Sequence, residues 1–198
     1  HGREWSEPEN AGPSVNSEKE DRFPSVARNG NLYFMSGYDL YRSVYRDGRY
    51  LPREKLGSGI NTEYYELGCF VAPDESYLIF SSSRPWADGT KDELDSYISF
   101  RKSDGSWTKP LAFGVKHGVG ENFFIGMSPD GRYLFFGAGD VQWIDAAIIQ
   151  TLRLQFLTYS EFWLLRFVYD GFLYKEGKPV GFRAEAAYAK NVYLEKLK

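Results

Sequence analysis

Short apolar runs alternate with tight-turn sequences along most of the chain. Three closely similar hairpin sequences stand out, ARNGNLYF, APDESYLIF and SPDGRYLFF. Asn-Gly and Asp-Gly favour the positive φ that two-residue hairpin turns need, and the aromatic residues that follow favour strands. The strand residues Leu32, Leu78 and Leu134 hold the same place in each hairpin and recur about every 50 residues. The pattern therefore predicts a repeated β-sheet unit.

Each unit is predicted to contain four short antiparallel strands. Three kinds of landmark place them: the end of the first strand, an Asp at the start of the third, and an aromatic residue in the fourth. These landmarks are Val26, Val71 and Met127; Asp39, Asp95 and Asp140; and Tyr50 and Trp107, which follow the turns Asp47-Gly48 and Asp104-Gly105. Four antiparallel strands in about 40–50 residues are typical of a β-propeller blade, and a β-sandwich is the alternative.

We therefore predict an all-β fold, a partial β-propeller of about three four-stranded antiparallel blades. Residues 1–17 are predicted to be the outer strand of a preceding blade, and the blades themselves to cover residues 18–62, 63–118 and 119–152. Complete propellers have about four to eight blades, so the chain is expected to be the C-terminal half of a longer protein. The third unit lacks the Gly-x-Trp strand, which an N-terminal strand supplies in many closed propellers.

Residues 153–198 match none of these landmarks and are left as an unassigned extension. Further hairpins that cover the open edge of the third blade are one interpretation. A helix from about Tyr159 to Tyr169 is another, and a segment foreign to the domain is a third; we favour strands. No membrane span is expected, because Arg153, Glu161 and Arg166 interrupt the apolar run before it reaches about 20 residues.

Charge and cysteine content narrow the chemistry. The formal net charge is −3, so no basic surface indicates nucleic-acid binding. The single cysteine, Cys69, excludes an internal disulfide framework and is interpreted as a buried core residue. The chain has two histidines, one of them His1, which disfavours a histidine triad or metal cluster. We expect no cofactor and no metal site. The polar first residues contain no signal segment.

The repeat as a whole resembles a known family. The sequences beginning at Glu20, Phe70 and Met127 combine V-A-x-N-G-x-L-Y-F, F-V-A-P-D-x-x-Y-L-I-F-S-S-S-R-P and M-S-P-D-G-R-Y-L-F-F, and they resemble the WD-like repeats of TolB-type propellers over about residues 1–150. The resemblance implies a bacterial envelope or secreted protein, periplasmic or extracellular, whose propeller is a binding scaffold without catalytic activity in most members.

Propeller topology groups the loops into two ends. The loops between second and third strands and those between blades emerge at one end, here called the loop-bearing end. The hairpin turns emerge at the other, the turn end. The long polar loop between Phe80 and Asp95 makes the loop-bearing end the expected binding surface. The candidate ligand-binding residues are Asn61, Glu66, Arg84, Trp86, Asp88, His117 and Glu121, with Asn16, Glu20 and Asn122 beside them.

Each candidate also has a structural interpretation. Asn16 and Asn61 suit turn caps that bond their own backbone, and Glu20 and Glu66 suit acceptors for nearby N–H groups. Arg84 could grip a ligand carboxylate bidentately or form an inter-blade salt bridge. Trp86 is either a loop anchor or a stacking platform. Asp88 belongs to an acidic loop whose spacing does not fit a calcium loop, and His117 suits a solvated loop.

The sequence favours a non-catalytic scaffold that binds a protein partner or a small ligand, with carbohydrate as one candidate. The open blade edges also allow self-association. No nucleophile elbow, zinc-protease helix or phosphate loop is present. The alternative is a carbohydrate-active hydrolase or lyase with a propeller active site. The stretch Ser103–Trp107 resembles the Asp box of sialidase-type propellers, but that motif is a structural turn and indicates a fold rather than an activity. A propeller that supports a separate catalytic domain is a third hypothesis.

Overall fold

The computed structural model of the chain describes residues 7–85, 94–114, 123–137, 140–156, 174–175 and 178–179. The chain divides into two compact units, His1–Ala146 and Ala147–Lys198. The first contains three antiparallel sheets of three or four strands and one short ribbon. The prediction of an all-β fold built from antiparallel sheets is therefore confirmed.

The first sheet has four strands in the order β1-β2-β3-β6. Its strands are β1 (Asp21–Val26), β2 (Leu32–Ser36), β3 (Asp39–Ser43) and β6 (Glu54–Lys55), and a separate ribbon joins β4 (Tyr45–Arg46) to β5 (Arg49–Tyr50). All five residues of β2 are buried, because this strand is paired on both sides and packed on both faces.

The second sheet repeats this arrangement in the order β10-β9-β8-β7. Its strands are β7 (Glu66–Val71), β8 (Tyr77–Ser82), β9 (Asp95–Phe100) and β10 (Leu111–Ala112). The third sheet has the order β11-β12-β13 among the residues described. Its strands are β11 (Phe123–Met127), β12 (Tyr133–Gly137) and β13 (Val141–Asp145).

The fourth strand lies later in the chain than predicted in both complete sheets. Tyr50 pairs with Tyr45 in the separate ribbon, and Trp107 forms a single bridge with Arg101. The strands that complete the sheets are β6 and β10, which pair with β3 and β9. Pro52 and Pro110 explain the difference: proline has no N–H to donate, so pairing is interrupted there and resumes after it.

An apolar core joins the first two sheets. Tyr33, Met35 and Leu40 of the first sheet pack with Leu78 and Phe80 of the second, and all five side chains are almost fully buried. Ring contacts continue this core toward the third sheet, where the rings of Phe113 and Phe124 lie 5.9 and 5.4 Å from that of Phe136. Successive sheets therefore bury their facing sides against each other.

The second compact unit is described only in part. It contains a short helix, α1 (Ile148–Arg153), a 3₁₀ turn at Leu154–Phe156, and two paired strands, β14 (Tyr174–Lys175) and β15 (Lys178–Pro179). The helix predicted as one alternative for residues 159–169 lies outside the described residues. Within the described ranges, no helix has the length and apolar character needed to cross a bilayer.

Candidate functional site

The strand registers place several of the candidate residues at one end of the sheets. Asp21 pairs with Ser36, which pairs with Asp39, and Glu66 pairs with Ser82 in the same row of the second sheet. This row marks the loop-bearing end, since the connections between β2 and β3 and the chain leading into β1 and β7 emerge there. The residues described at this end are Asn16, Glu20, Asn61, Glu66 and Arg84.

The guanidinium of Arg84 is bound on several sides by its own chain. Nη2 donates to Oε1 of Glu66 at 3.0 Å and to the carbonyl of Ile60, and Nε donates to Oγ of Ser82 at 3.0 Å. Its side chain is 13% exposed. The Tyr97 hydroxyl holds the Arg84 carbonyl at 3.0 Å. These contacts favour the structural interpretation of Arg84 over a ligand grip.

Glu66 is the centre of this network. Its side chain is fully buried, and Oε1 accepts from the Thr62 hydroxyl at 2.6 Å and the Ser82 hydroxyl at 3.2 Å. Oε2 accepts from the Thr62 N–H at 3.0 Å. A buried carboxylate is tolerated only when it is paired and hydrogen-bonded, and Glu66 meets both conditions. The ion pair between Glu66 and Arg84 lies within one repeat unit. Arg84 also donates hydrogen bonds to the carbonyls of Gly59 and Ile60, which belong to the preceding unit.

The first sheet contains the same network built from different residues. Asp21 accepts from the Ser17 N–H at 2.7 Å, and Arg53 reaches Asp21 at 3.3 Å. The same Arg53 nitrogen donates to Ser36 at 3.1 Å and to the carbonyl of Val15 at 3.4 Å. Each network thus contains a carboxylate, a Ser or Thr four residues before it, a strand-end Ser, a loop carbonyl and an Arg.

Aromatic rings complete the match between the two networks. The Arg84 guanidinium lies 5.2 Å from the ring centres of Phe80 and Tyr97, which stack at 6.0 Å. In the first sheet the Arg53 guanidinium lies 5.0 Å from the ring of Tyr41, which stacks on Phe34 at 6.1 Å. The rings bury the carbon and nitrogen framework of each arginine and add a cation–π attraction.

Asn61 is buried and structural in a different way from the one predicted. Its amide donates to the carbonyls of Leu40 at 2.9 Å and Leu56 at 2.7 Å, and its side-chain oxygen accepts from the Leu40 N–H at 2.7 Å. The side chain therefore joins strand β3 to the segment that leads into its own turn. Asn16 bonds the side chain of Asn10 at 2.8 Å, which also differs from the predicted turn cap.

Of the remaining candidates, Glu20 is described and exposed, and the other five lie outside the described residues. Glu20 is exposed and forms an ion pair with Arg22 at 2.8 Å, and the repeat places Asp21, not Glu20, at the position of Glu66. The other candidates lie outside the described residues: Trp86, Asp88, His117, Glu121 and Asn122.

Glu75, at the turn end, is a cluster centre that sequence reasoning missed. It occupies the turn position held by Gly30 and Gly131 in the other units, with φ of 57°. Its carboxylate accepts from the Tyr33 hydroxyl at 2.6 Å. Four groups surround the carboxylate in total: Asn29, Asn31, Tyr33 and Arg101. The sequence signal that could have identified it is the turn Asp74-Glu75, because the other two hairpins have glycine at the position of Glu75.

The Glu75 cluster links the first two sheets electrostatically. Burial opposes ionisation of Glu75, but the hydrogen bonds from Tyr33 and the two Asn side chains, with the Arg101 charge, hold the pKa of its carboxyl below the ordinary value. Burial is the main cause that raises the pKa of the Tyr33 hydroxyl, and the hydrogen bond to Glu75 and its negative charge raise it further. A Tyr–Glu pair can serve as a glycosidase nucleophile, but Tyr33 is fully buried and its phenol is made less acidic, so this pair is structural.

An exposed aromatic pair lies at the loop-bearing end. The rings of Tyr38 and Tyr65 are 4.4 Å apart, and these residues are 59% and 52% exposed. The backbone holds both: the Tyr38 carbonyl accepts from the Glu66 N–H at 3.0 Å, and Tyr65 exchanges hydrogen bonds with Ser83. The two tyrosines are therefore fixed by the same segments that carry the Arg84 network.

The chain matches no protein-family model, and no curated protein matches it. The resemblance to TolB-type repeats therefore rests on the repeated residues themselves.

Proposed function

We propose that this chain is part of a TolB-type β-propeller, a non-catalytic scaffold that binds a protein partner or a small ligand through its loop-bearing end. The supporting observation is the network that occurs twice at that end. In both sheets the polar side chains that might have served acid–base chemistry are hydrogen-bonded internally and fix the loops. Rigid loops on a sheet scaffold suit recognition, and Tyr38 with Tyr65 supplies an exposed aromatic surface between them.

The stacking of successive sheets supports the propeller architecture in this proposal. Each sheet presents its first strand on the same side, and each buries one face against the next. The family resemblance adds the localisation: a bacterial protein of the periplasm or the extracellular space. Strand β13 is the last strand of the third sheet among the described residues, and it carries exposed Val141 and Trp143. This surface supports self-association as a second mode of interaction, and light scattering should show less association for the Trp143→Lys variant than for the unmodified protein.

The test of the binding function compares the two ends of the sheets. Panels of soluble oligosaccharides and of peptides are screened by the rise they cause in the melting temperature, and each ligand is then examined by mass spectrometry. We expect a ligand whose effect is lost when Tyr38 and Tyr65 are both changed to Ala. Tyr45→Ala, at the turn end, is the matched control because Tyr45 is also exposed and packed on a second tyrosine, Tyr50.

Three results would contradict the proposal. Equal loss of binding in the Tyr45→Ala variant would show that the loop-bearing end is not the binding surface. Cleavage of an oligosaccharide during the incubation would favour the alternative function, a carbohydrate-active hydrolase or lyase. A screen in which no panel member raises the melting temperature would leave the scaffold without the small ligand or peptide that the proposal requires.

A further inference from the structure

A cleft lies among the first strands of the three sheets, β1, β7 and β11. Its volume is about 260 Å³. Seven residues line it, and all of them come from strands that carry bulges: Phe23, Pro24, Ser25, Gly68, Cys69, Phe70 and Phe124. Bulges redirect side chains and are frequent next to functional sites. One aromatic side chain from each of the three strands, Phe23, Phe70 and Phe124, lines the cleft.

Phe23 is strained in a way that its surroundings do not explain. Its φ is 55°, a region that costs a bulky residue about 1–2 kcal/mol. It also precedes Pro24, which drives the preceding residue toward extended backbone. The corresponding bulge of the second sheet has Gly68, with φ of 53°, so glycine satisfies the same backbone geometry without strain.

Among the residues that the structure describes, two other non-glycine residues have positive φ, and both have structural reasons. Asp47 lies in the Asp-Gly turn of the β4–β5 ribbon, and Glu75 gains the hydrogen bonds of its carboxylate. Phe23 lies in neither situation, and it is 49% exposed, so burial of its ring does not offset the strain. Backbone strain that no hydrogen bond or burial offsets is typical of functional sites, and we therefore consider what Phe23 could bind.

The lining determines which ligand would fit. Phe70 and Phe124 lie 5.3 Å apart with their planes at 60°, and Phe23 forms another side of the cleft. Ser25 accepts a hydrogen bond from the Val71 N–H at 2.9 Å. Cys69 is the one ionisable lining residue, and burial raises the pKa of its thiol, which stays protonated. The described lining therefore offers aromatic rings and polar groups in similar amounts, and no charged side chain.

We propose that this cleft is a binding site for an uncharged, ring-sized aromatic molecule with a polar edge, and that Phe23 is held in its strained conformation to contact that molecule. The volume suits one or two rings, since a cavity of about 150 Å³ already accommodates benzene. A charged ligand is disfavoured because it would lose hydration without gaining a counter-ion. This inference is independent of the proposed function, which concerns the loops and the exposed pair Tyr38 and Tyr65 at the loop-bearing end and none of the residues that line the cleft.

The test uses indole as the probe, with indole-3-acetate as its charged counterpart. Titration calorimetry on the full chain measures affinity, and NMR spectra of protein labelled with ¹³C at phenylalanine locate the contact. We expect indole to shift the Phe23, Phe70 and Phe124 signals and to bind at least about tenfold more tightly than indole-3-acetate.

Phe23→Gly separates a binding role from a structural one. If Phe23 serves binding, this variant weakens indole binding about tenfold, while its melting temperature stays the same or rises because the strain is gone. Phe23→Asn, which also tolerates positive φ, should behave alike. Tyr45→Ala removes a comparably exposed ring outside the cleft and should leave binding unchanged.

Six outcomes would overturn the proposal. Three concern the probes: no binding of indole, indole-induced shifts at other phenylalanines, or equal binding of indole and indole-3-acetate. Unchanged affinity in Phe23→Gly would remove Phe23 from the site. A lower melting temperature in Phe23→Gly, or the same loss in Phe23→Asn, would show that the Phe23 ring is needed for folding. Equal weakening in Tyr45→Ala would indicate unspecific association with exposed rings.

Discussion

The first and second sheets reach the same chemistry at their loop-bearing ends from different sequences. Asp21 with Arg53 and Glu66 with Arg84 occupy equivalent places, each with a hydroxyl, a loop carbonyl and a stacked aromatic pair. The arginines come from different points of the chain: Arg84 follows β8, whereas Arg53 immediately precedes β6. Both described networks therefore place an arginine beside the carboxylate, although a different segment of the chain supplies it in each.

The two networks differ in burial, and this difference should set their energetic weight. Glu66 is fully buried and Arg84 is 13% exposed, whereas Asp21 and Arg53 are 14% and 25% exposed. Removing one partner of a buried pair leaves an uncompensated charge, while water can partly replace a lost partner nearer the surface. The second network should thus be the more sensitive to mutation.

Arg84→Ala should have the largest effect. We expect it to lower the free energy of unfolding by about 3–5 kcal/mol, because Glu66 would remain buried without its cation. Arg53→Ala should cost about 1–2 kcal/mol, and both are measured by urea denaturation. Arg22→Ala is the control, since its ion pair with Glu20 is exposed and should contribute less than about 1 kcal/mol. Equal losses for Arg84→Ala and Arg22→Ala would contradict the comparison.

The two sheets also predict a dependence on acid. Burial alone would raise the pKa of Asp21, but hydrogen bonds from Ser36 and Ser17 and the charge of Arg53 outweigh burial and lower it. In the Glu75 cluster, the hydrogen bonds and the charge of Arg101 likewise outweigh burial and lower the pKa of Glu75. A carboxyl with a lowered folded-state pKa stabilises the fold above its unfolded pKa, and this stability is lost as the pH falls through the folded value.

Stability should therefore decline as the pH falls below the ordinary values of 3.8 for Asp and 4.5 for Glu. Urea midpoints measured from neutral pH downward would show the decline. Asp21→Asn and Glu75→Gln should each be less stable than the unmodified protein at neutral pH and should each show a shallower decline in acid. A decline of unchanged slope in both variants would assign acid sensitivity to other groups.

The sequence predicted the sheets well because their determinants are local. Hairpin turns such as Asn29-Gly30 and Asp130-Gly131 act over two residues, and alternating apolar residues then define the paired strands. The fourth strands were misplaced because a bridge at Trp107 and a ribbon at Tyr50 use the same residue types as a true ladder. Only pairing across the sheet distinguishes them.

The candidate site was less predictable because its contacts are distant in sequence. Arg84 and Glu66 were both identified as candidates, yet nothing local shows that they bond each other or that Arg53 plays the same part in the first sheet. Glu75 was missed since its partners Asn31 and Tyr33 lie in another repeat. The strain of Phe23 is likewise visible only in the backbone.

The smallest effects come from exchanging equivalent turn and bulge residues between the sheets. Glu75→Gly gives the second sheet the glycine that the first has at Gly30, and Phe23→Gly gives the first sheet the glycine that the second has at Gly68. Both changes relieve a left-handed conformation worth about 1–2 kcal/mol. Only Glu75→Gly also removes charge-assisted hydrogen bonds and leaves their donors unpaired. We expect this loss to destabilise the protein by about 1.5–3 kcal/mol.

The two exchanges should therefore have opposite signs. Glu75→Gly should lower the free energy of unfolding by about 1 kcal/mol, and Phe23→Gly should leave it unchanged or raise it by up to about 1 kcal/mol. Urea denaturation of both variants at neutral pH measures the difference. If both variants lost stability equally, left-handed backbone would not be a source of strain here, and the contrast between Phe23 and Gly68 would lose its meaning.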